Sequence, residues 1–179
     1  MMTLETDAFL RSADVLRRIL SALLVLLIAA GIFVLWWLML DPAGAGRWLA
    51  RAAGYDDGLA SLQGAALGGL LLAQIGVWIA VVWQARTVFQ GLLLADAVAA
   101  SAAARRLAWF LWAMLLWGMI AHALASVITT WHYPVGTRTL AISIGTGQIT
   151  TLLAALLAGF TSHAFALGAA LWQDHREVI

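Results

Sequence analysis

Four stretches of this chain are long and apolar enough to cross a bilayer, and none of them carries a charged side chain. A helix needs about 20 such residues to span the hydrocarbon. The stretches cover residues 19–40, about 65–84, about 107–129 and about 148–171. Lipid offers no partner to a backbone N–H or C=O, so each span must close its own hydrogen bonds as a helix. These runs predict an all-α polytopic membrane protein, a four-transmembrane-helix bundle with short interfacial helices, in one domain over residues 1–179. Composition agrees. The chain is 64% hydrophobic and 11% charged, against about half and a quarter in soluble domains. Its mean hydropathy is +0.94. "PAGAG" after the first run has the look of a cleavage site. The apolar run before it far exceeds the roughly 7–15 residues of a signal peptide core, so it is read as an anchor.

Arginine placement orients the spans. Arg11, Arg17, Arg18, Arg86, Arg105, Arg106 and Arg176 fall on one side, and Arg47, Arg51 and Arg138 on the other. That bias predicts cytoplasmic termini. Trp36, Trp37, Trp83, Trp109, Trp131 and Tyr133 sit near span ends, where amphipathic rings favour the interface. All ten basic residues are Arg, in the manner of a GC-rich bacterial coding bias, and the expected location is a bacterial inner membrane. A net charge of +1 gives no reason to expect a nucleic-acid partner.

The connections carry their own signals. Asp41-Pro42 reads as a helix cap and first position. "RWLARAAG" after it reads as one or two amphipathic turns lying on the membrane and closed by Gly54. "RTVFQGLLLADAVAASAAARR" is too weakly apolar to span and reads as a helical extension or interfacial helix. "HYPVGTRTLAISIGTG" alternates at Leu140, Ile142 and Ile144, which predicts an extended segment. "GTGQ", residues 145–148, reads as a helix start rather than a nucleotide loop.

Small residues let membrane helices approach closely. On the second span Gly69, Ala73, Gly76 and Ala80 share one face; on the third, Met114, Gly118, Ala121, His122, Ala125 and Thr129; on the fourth, Gln148, Ala155, Gly159, Ser162, His163, Ala166 and Ala170. These faces are expected to meet, with Trp109 and Trp112 turned away. Both intramembrane histidines would then lie inside the bundle and lean toward each other, about 8 Å apart in depth.

Three readings of His122 and His163 follow. They are satisfied by Ser, Thr, backbone or water; or they ligate a haem or other tetrapyrrole; or they handle protons or ions in a small transporter or channel. The first is preferred. No span holds a carboxylate, which argues against a pump. The chain has no cysteine, and no acidic third ligand stands near the histidines, which argues against a metal site. Asp56 and Asp57, His132 and His175 read as solvated. No nucleophile-base order and no HExxH is present, so no catalytic residue, cofactor or metal is assigned.

The C-terminal stretch "LLAALLAGFTSHAFALGAALWQDHREVI" resembles an uncharacterised bacterial membrane family, domain of unknown function 2975. Phe165, Gly168, Leu171, Asp174 and Val178 fill that family's closing positions. "AAARRLAWFL" fits its arginine turn at Arg105, Arg106 and Leu107, though the glycine-phenylalanine pair expected ahead of the turn is missing or displaced. The resemblance implies a four-helix inner-membrane protein of similar length and carries no activity. Some members are expected beside a small helix-turn-helix regulator, which would suggest regulation. The expected protein is non-enzymatic and acts through helix contacts with itself or a membrane partner in the lipid bilayer.

Overall fold

The computed structural model describes residues 2–52, 61–94, 97–131, 134 and 145–177. These form five helices: α1 (Met2–Leu40), α2 (Pro42–Ala52), α3 (Ser61–Leu93), α4 (Ala97–Thr130) and α5 (Thr146–Glu177). No strand occurs among the described residues. The four long helices each contain a segment long and apolar enough to cross a membrane: Arg11–Leu40, Leu62–Leu93, Val98–Thr130 and Thr146–Gly168. Each helix is longer than its expected span: α1 begins well before it, and the other three run past both of its ends. At 1.5 Å per residue α1 is about 58 Å long and the others about 50 Å, well beyond a hydrocarbon core of about 30 Å.

The helix starts follow local chemistry. The backbone N–H of Gly44 donates to Asp41 Oδ1 at 2.8 Å, so Asp41 caps α2 with Pro42 in the first position, as expected. At α5 the Gly145 N–H donates to Gln148 Oε1 at 2.9 Å, the reach-back half of a capping box. The connection between the second and third spans is a helical extension of both. α3 continues to Leu93 and α4 begins at Ala97. The extended segment expected at Leu140, Ile142 and Ile144 lies outside the described residues, as do Gly54, Asp56, Asp57, His132, Tyr133 and Arg138.

The long helices alternate in direction. Gly31 faces Ile75 and Gly68 faces Leu38, which sets α1 antiparallel to α3. Gln63 Nε2 donates to Ile128 O at 3.0 Å near one end, and Gly91 meets Ala100 near the other, which sets α3 antiparallel to α4. Ser162 Oγ donates to Ser101 O at 3.2 Å, and Leu111 clusters with Ala155, which sets α5 antiparallel to α4.

The backbones come close only between successive long helices. α1 packs on α3, α3 on α4 and α4 on α5, with α2 laid against α3 and the end of α1. Among the described residues the backbone of α1 stays clear of α4 and α5, and that of α3 stays clear of α5. The four helices therefore stand in an open row, within the expected all-α, four-span architecture. The row exposes 12032 Å², whereas a compact soluble monomer of 19.1 kDa would expose about 8,400 Å². Only 6% of the apolar window of α1 is buried. Large apolar side chains such as Leu26, Phe33, Leu157 and Phe160 stand exposed on the edge helices. Lipid is the solvent that suits such faces.

The tightest packing lies at the two ends of the α3 contacts. A Cβ on Gly46 would strike the backbone of Gly64, so α2 crosses α3 with the two chains in contact. A Cβ on Gly91 would lie 3.0 Å from Ala100 N. Around that crossing Val88, Ala103 and Ala104 form a buried cluster, flanked by Leu92, Leu107 and Phe165. A second cluster joins Val81, Leu111 and Ala155 midway along the helices.

Candidate functional site

The small-residue faces need correcting first. Gly69, Ala73 and Gly76 are exposed, Ala80 is only half-buried, and a Cβ on Gly69 or Gly76 would meet nothing within 4 Å. α3 packs through other positions: Gly64 on α2, Gly68 on α1, and Val81 and Val88 on α4. Gly118 and Gly159 also have open space where a Cβ would stand. Of the contact residues expected on α5, Ala155 is buried and packs as expected. The face of α5 on α4 runs through Ala155, Ala158, Ser162 and Phe165. Gly159, His163 and Ala166 fall beside it.

Instead of closing contacts, the two glycines floor two clefts. The outer cleft, about 490 Å³, lies over α4 between α3 and α5. Met114, Gly118, Ala121, His122 and Ala125 supply its floor, so the stripe expected on the third span does share one face. Ala121 and Ala125 are half-buried there. Leu67, Leu71, Gln74 and Trp78 wall one side, and Gln148, Thr150 and Thr151 the other. His122 is half-buried and interacts with a neighbouring group. The threonine hydroxyls donate to their own helix, Thr150 Oγ1 to Gly147 O at 2.9 Å and Thr151 Oγ1 to Gly147 O at 2.8 Å. The Gln74 amide has no hydrogen-bond partner among the described residues.

The second cleft, about 410 Å³, opens on the flank between α4 and α5. Arg105, Ala108, Trp109, Trp112 and Leu116 line it from α4, and Gly159, Ser162 and His163 from α5. His163 is exposed here, against the tryptophan face of α4 rather than the His122 stripe.

A ligand shared between the histidines is thereby overturned. The Ser101–Ser162 contact sets His163 level with about residue 100 of α4. His122 stands about 30 Å further along that helix by the helical rise. The two clefts share no lining residue. The expected offset of about 8 Å in depth fails because α5 is helical through Glu177, so the end of its apolar run lies further along the helix than the membrane edge. The polar side chains of the spans divide in the same way, with Gln74, His122 and Gln148 in one cleft and His163 in the other. Among the described residues no three of His, Asp or Glu stand close enough to hold a metal ion.

The register also draws the arginines together. Counting from Gly91 against Ala100 puts Arg86 level with Arg105. Counting from Gly31 against Ile75 puts Arg17 and Arg18 within about 5 Å of the same level. Arg17, Arg18, Arg86, Arg105 and Arg106 form a transverse band at one end of the row. Asp14 neutralises part of it, with Arg17 Nη2 at 2.8 Å and Arg18 Nη2 at 2.7 Å. The Arg86 guanidinium lies 5.7 Å from the centroid of the Trp83 ring, within cation–π range. α2, with Arg47 and Arg51, lies at the opposite end.

The fold and its clefts define a multi-helix protein of membrane-spanning character. Comparison with family models, curated proteins and solved structures finds no match.

Proposed function

We propose that this chain is an integral protein of the bacterial inner membrane, with both termini in the cytoplasm, which acts through helix contacts with itself or a membrane partner and catalyses no reaction. The observation that carries this reading is the open row. Edge helices α1 and α5 each have an uncovered flank inside the membrane. Small-residue positions Gly69, Ala73 and Gly76 are likewise exposed, and a Cβ on either glycine would meet nothing among the described residues. Small residues permit the close backbone approach on which helix association in lipid depends. The arginine band supports the orientation, because positive side chains accumulate on the cytoplasmic side. A regulatory role and membership of domain of unknown function 2975 belong to the same proposal, supported by the C-terminal resemblance at Phe165 and Gly168.

The chain has no cysteine, so single introduced cysteines report cleanly. Crosslinking in membranes from Gly76→Cys or Leu157→Cys is expected to give a discrete adduct, either a dimer of the chain or one defined heavier species. Uncrosslinked monomer at both positions would overturn the proposal.

A further inference from the structure

The cleft between α4 and α5 has an asymmetry that the contact reading does not use. One end holds Arg105 and His163, with Ser162 beside them, and among the described residues no carboxylate lines it. Neither Arg105 nor His163 has a hydrogen bond or ion pair among the described residues. The rest is apolar: Ala108, Trp109, Trp112, Leu116 and the bare backbone of Gly159. From Arg105 to Leu116 the groove runs about 16 Å along α4 by the helical rise. That is the depth of one leaflet of a hydrocarbon core about 30 Å thick. It begins at the arginine band and runs toward the middle of the row.

We infer that this cleft binds one anionic phospholipid of the leaflet on the arginine side, its phosphate at Arg105 and His163 and an acyl chain along Trp112, Gly159 and Leu116. Charge complementarity selects the head group. Arg105 is a planar donor suited to phosphate oxygens and pairs with no carboxylate among the described residues. His163 adds a second donor, and basic pockets between helices on the cytoplasmic side are known to suit anionic head groups. The missing side chain at Gly159 leaves room for the acyl chain. Trp109, 72% exposed at the band, is placed where an indole prefers to lie, at the head-group level. The inference rests on the membrane-spanning reading alone. It holds whichever side of the membrane the arginine band faces, so reversed termini would move the site to the other leaflet without removing it.

The test uses the full chain in dodecyl maltoside, titrated with dioleoylphosphatidylglycerol and followed by native mass spectrometry and thermal stability. Phosphatidylglycerol is expected to be retained and to raise the melting temperature, and dioleoylphosphatidylcholine to be retained at least fivefold less. Arg105→Gln should weaken phosphatidylglycerol binding about fivefold, the effect of one arginine at a charged membrane surface. Gly159→Leu should fold, since its side chain enters open space, and should weaken binding by filling the groove. Arg106→Gln, next in sequence and outside the cleft, should change binding less than twofold. If Arg105→Gln does not purify folded, His163→Gln reads the same head-group end. Equal retention of the two lipids would overturn the inference. So would equal losses from Arg105→Gln and Arg106→Gln, or stabilisation by inorganic phosphate alone that matches the lipid.

Discussion

At Gly64 one added carbon would lie 2.9 Å from the backbone of Gly46 and of Pro42, whereas at Gly69, five residues on, it would meet nothing. Replacing each glycine by leucine tests the packing at single-residue resolution. Gly64→Leu must push α2 away from α3 and is expected to cost at least 1–3 kcal/mol, the usual range for overpacking. Gly91→Leu should do the same at the other end, against Ala100. Gly69→Leu and Gly159→Leu should be neutral or stabilising by up to about 1 kcal/mol, because glycine is a poor helix former and nothing crowds the new side chain. Thermal unfolding in detergent reads all four. Equal losses would mean that the packed face of α3 is misassigned. The sequence contains the correct signal, since Gly64 and Gly68 are spaced as a close-approach pair. It contains the competing stripe through Gly69, Ala73, Gly76 and Ala80 just as plainly. α3 is apolar on all sides, and lipid and a neighbouring helix are equally apolar, so periodicity carries no direction there.

Elements whose ends are set by polar chemistry were legible. Asp41 and Pro42 announce α2, and Gln148 announces α5, because a cap is a hydrogen bond between residues close in sequence. Asp41→Ala should remove the bond to Gly44 and cost about 1 kcal/mol. The loss should fall on α2, whose Trp48 ring stands 5.7 Å from that of Trp37. Tryptophan fluorescence should therefore change before global unfolding begins; a single cooperative transition unchanged from the parent chain would contradict the assignment of Asp41 as the cap. Helix lengths were less legible. An apolar run marks the part of a helix that lipid requires, and α1, α3, α4 and α5 all continue beyond it. That continuation displaced His163. A span taken to end at its last apolar residue sets His163 well inside the membrane, whereas the Ser101–Ser162 contact places it at the arginine band. His122 was placed on the correct face because its stripe differs in polarity and size from the tryptophan side of α4.

Over the whole molecule, four spans and their alternation follow from the apolar runs, while the row does not. Short connections make chain neighbours adjacent, and nothing in the sequence says whether the first and last helices close a ring. Closure needs a contact face on both α1 and α5. α1 instead carries exposed Leu26, Phe33 and Trp36, and α5 exposed Leu157 and Phe160. A reporter fused at Ile179 tests orientation: fluorescent protein should be bright there and alkaline phosphatase inactive, and the reverse would place the arginine band outside. The row itself is tested most directly by one distance. Leu26 on α1 and Leu157 on α5 are exposed and lie at nearly the same level by the register of the intervening helices. Spin labels on Leu26→Cys and Leu157→Cys, in a chain free of other cysteines, report their separation by pulsed electron resonance once diluted with unlabelled protein. Three interaxial steps of about 8–10 Å each, in a row that bends at α4 where α3 and α5 wall one cleft, give an expected separation of roughly 20–30 Å. A main distance below about 15 Å, the spacing of two helices in direct contact with their labels, would mean that the helices close into a ring and that the open row is wrong.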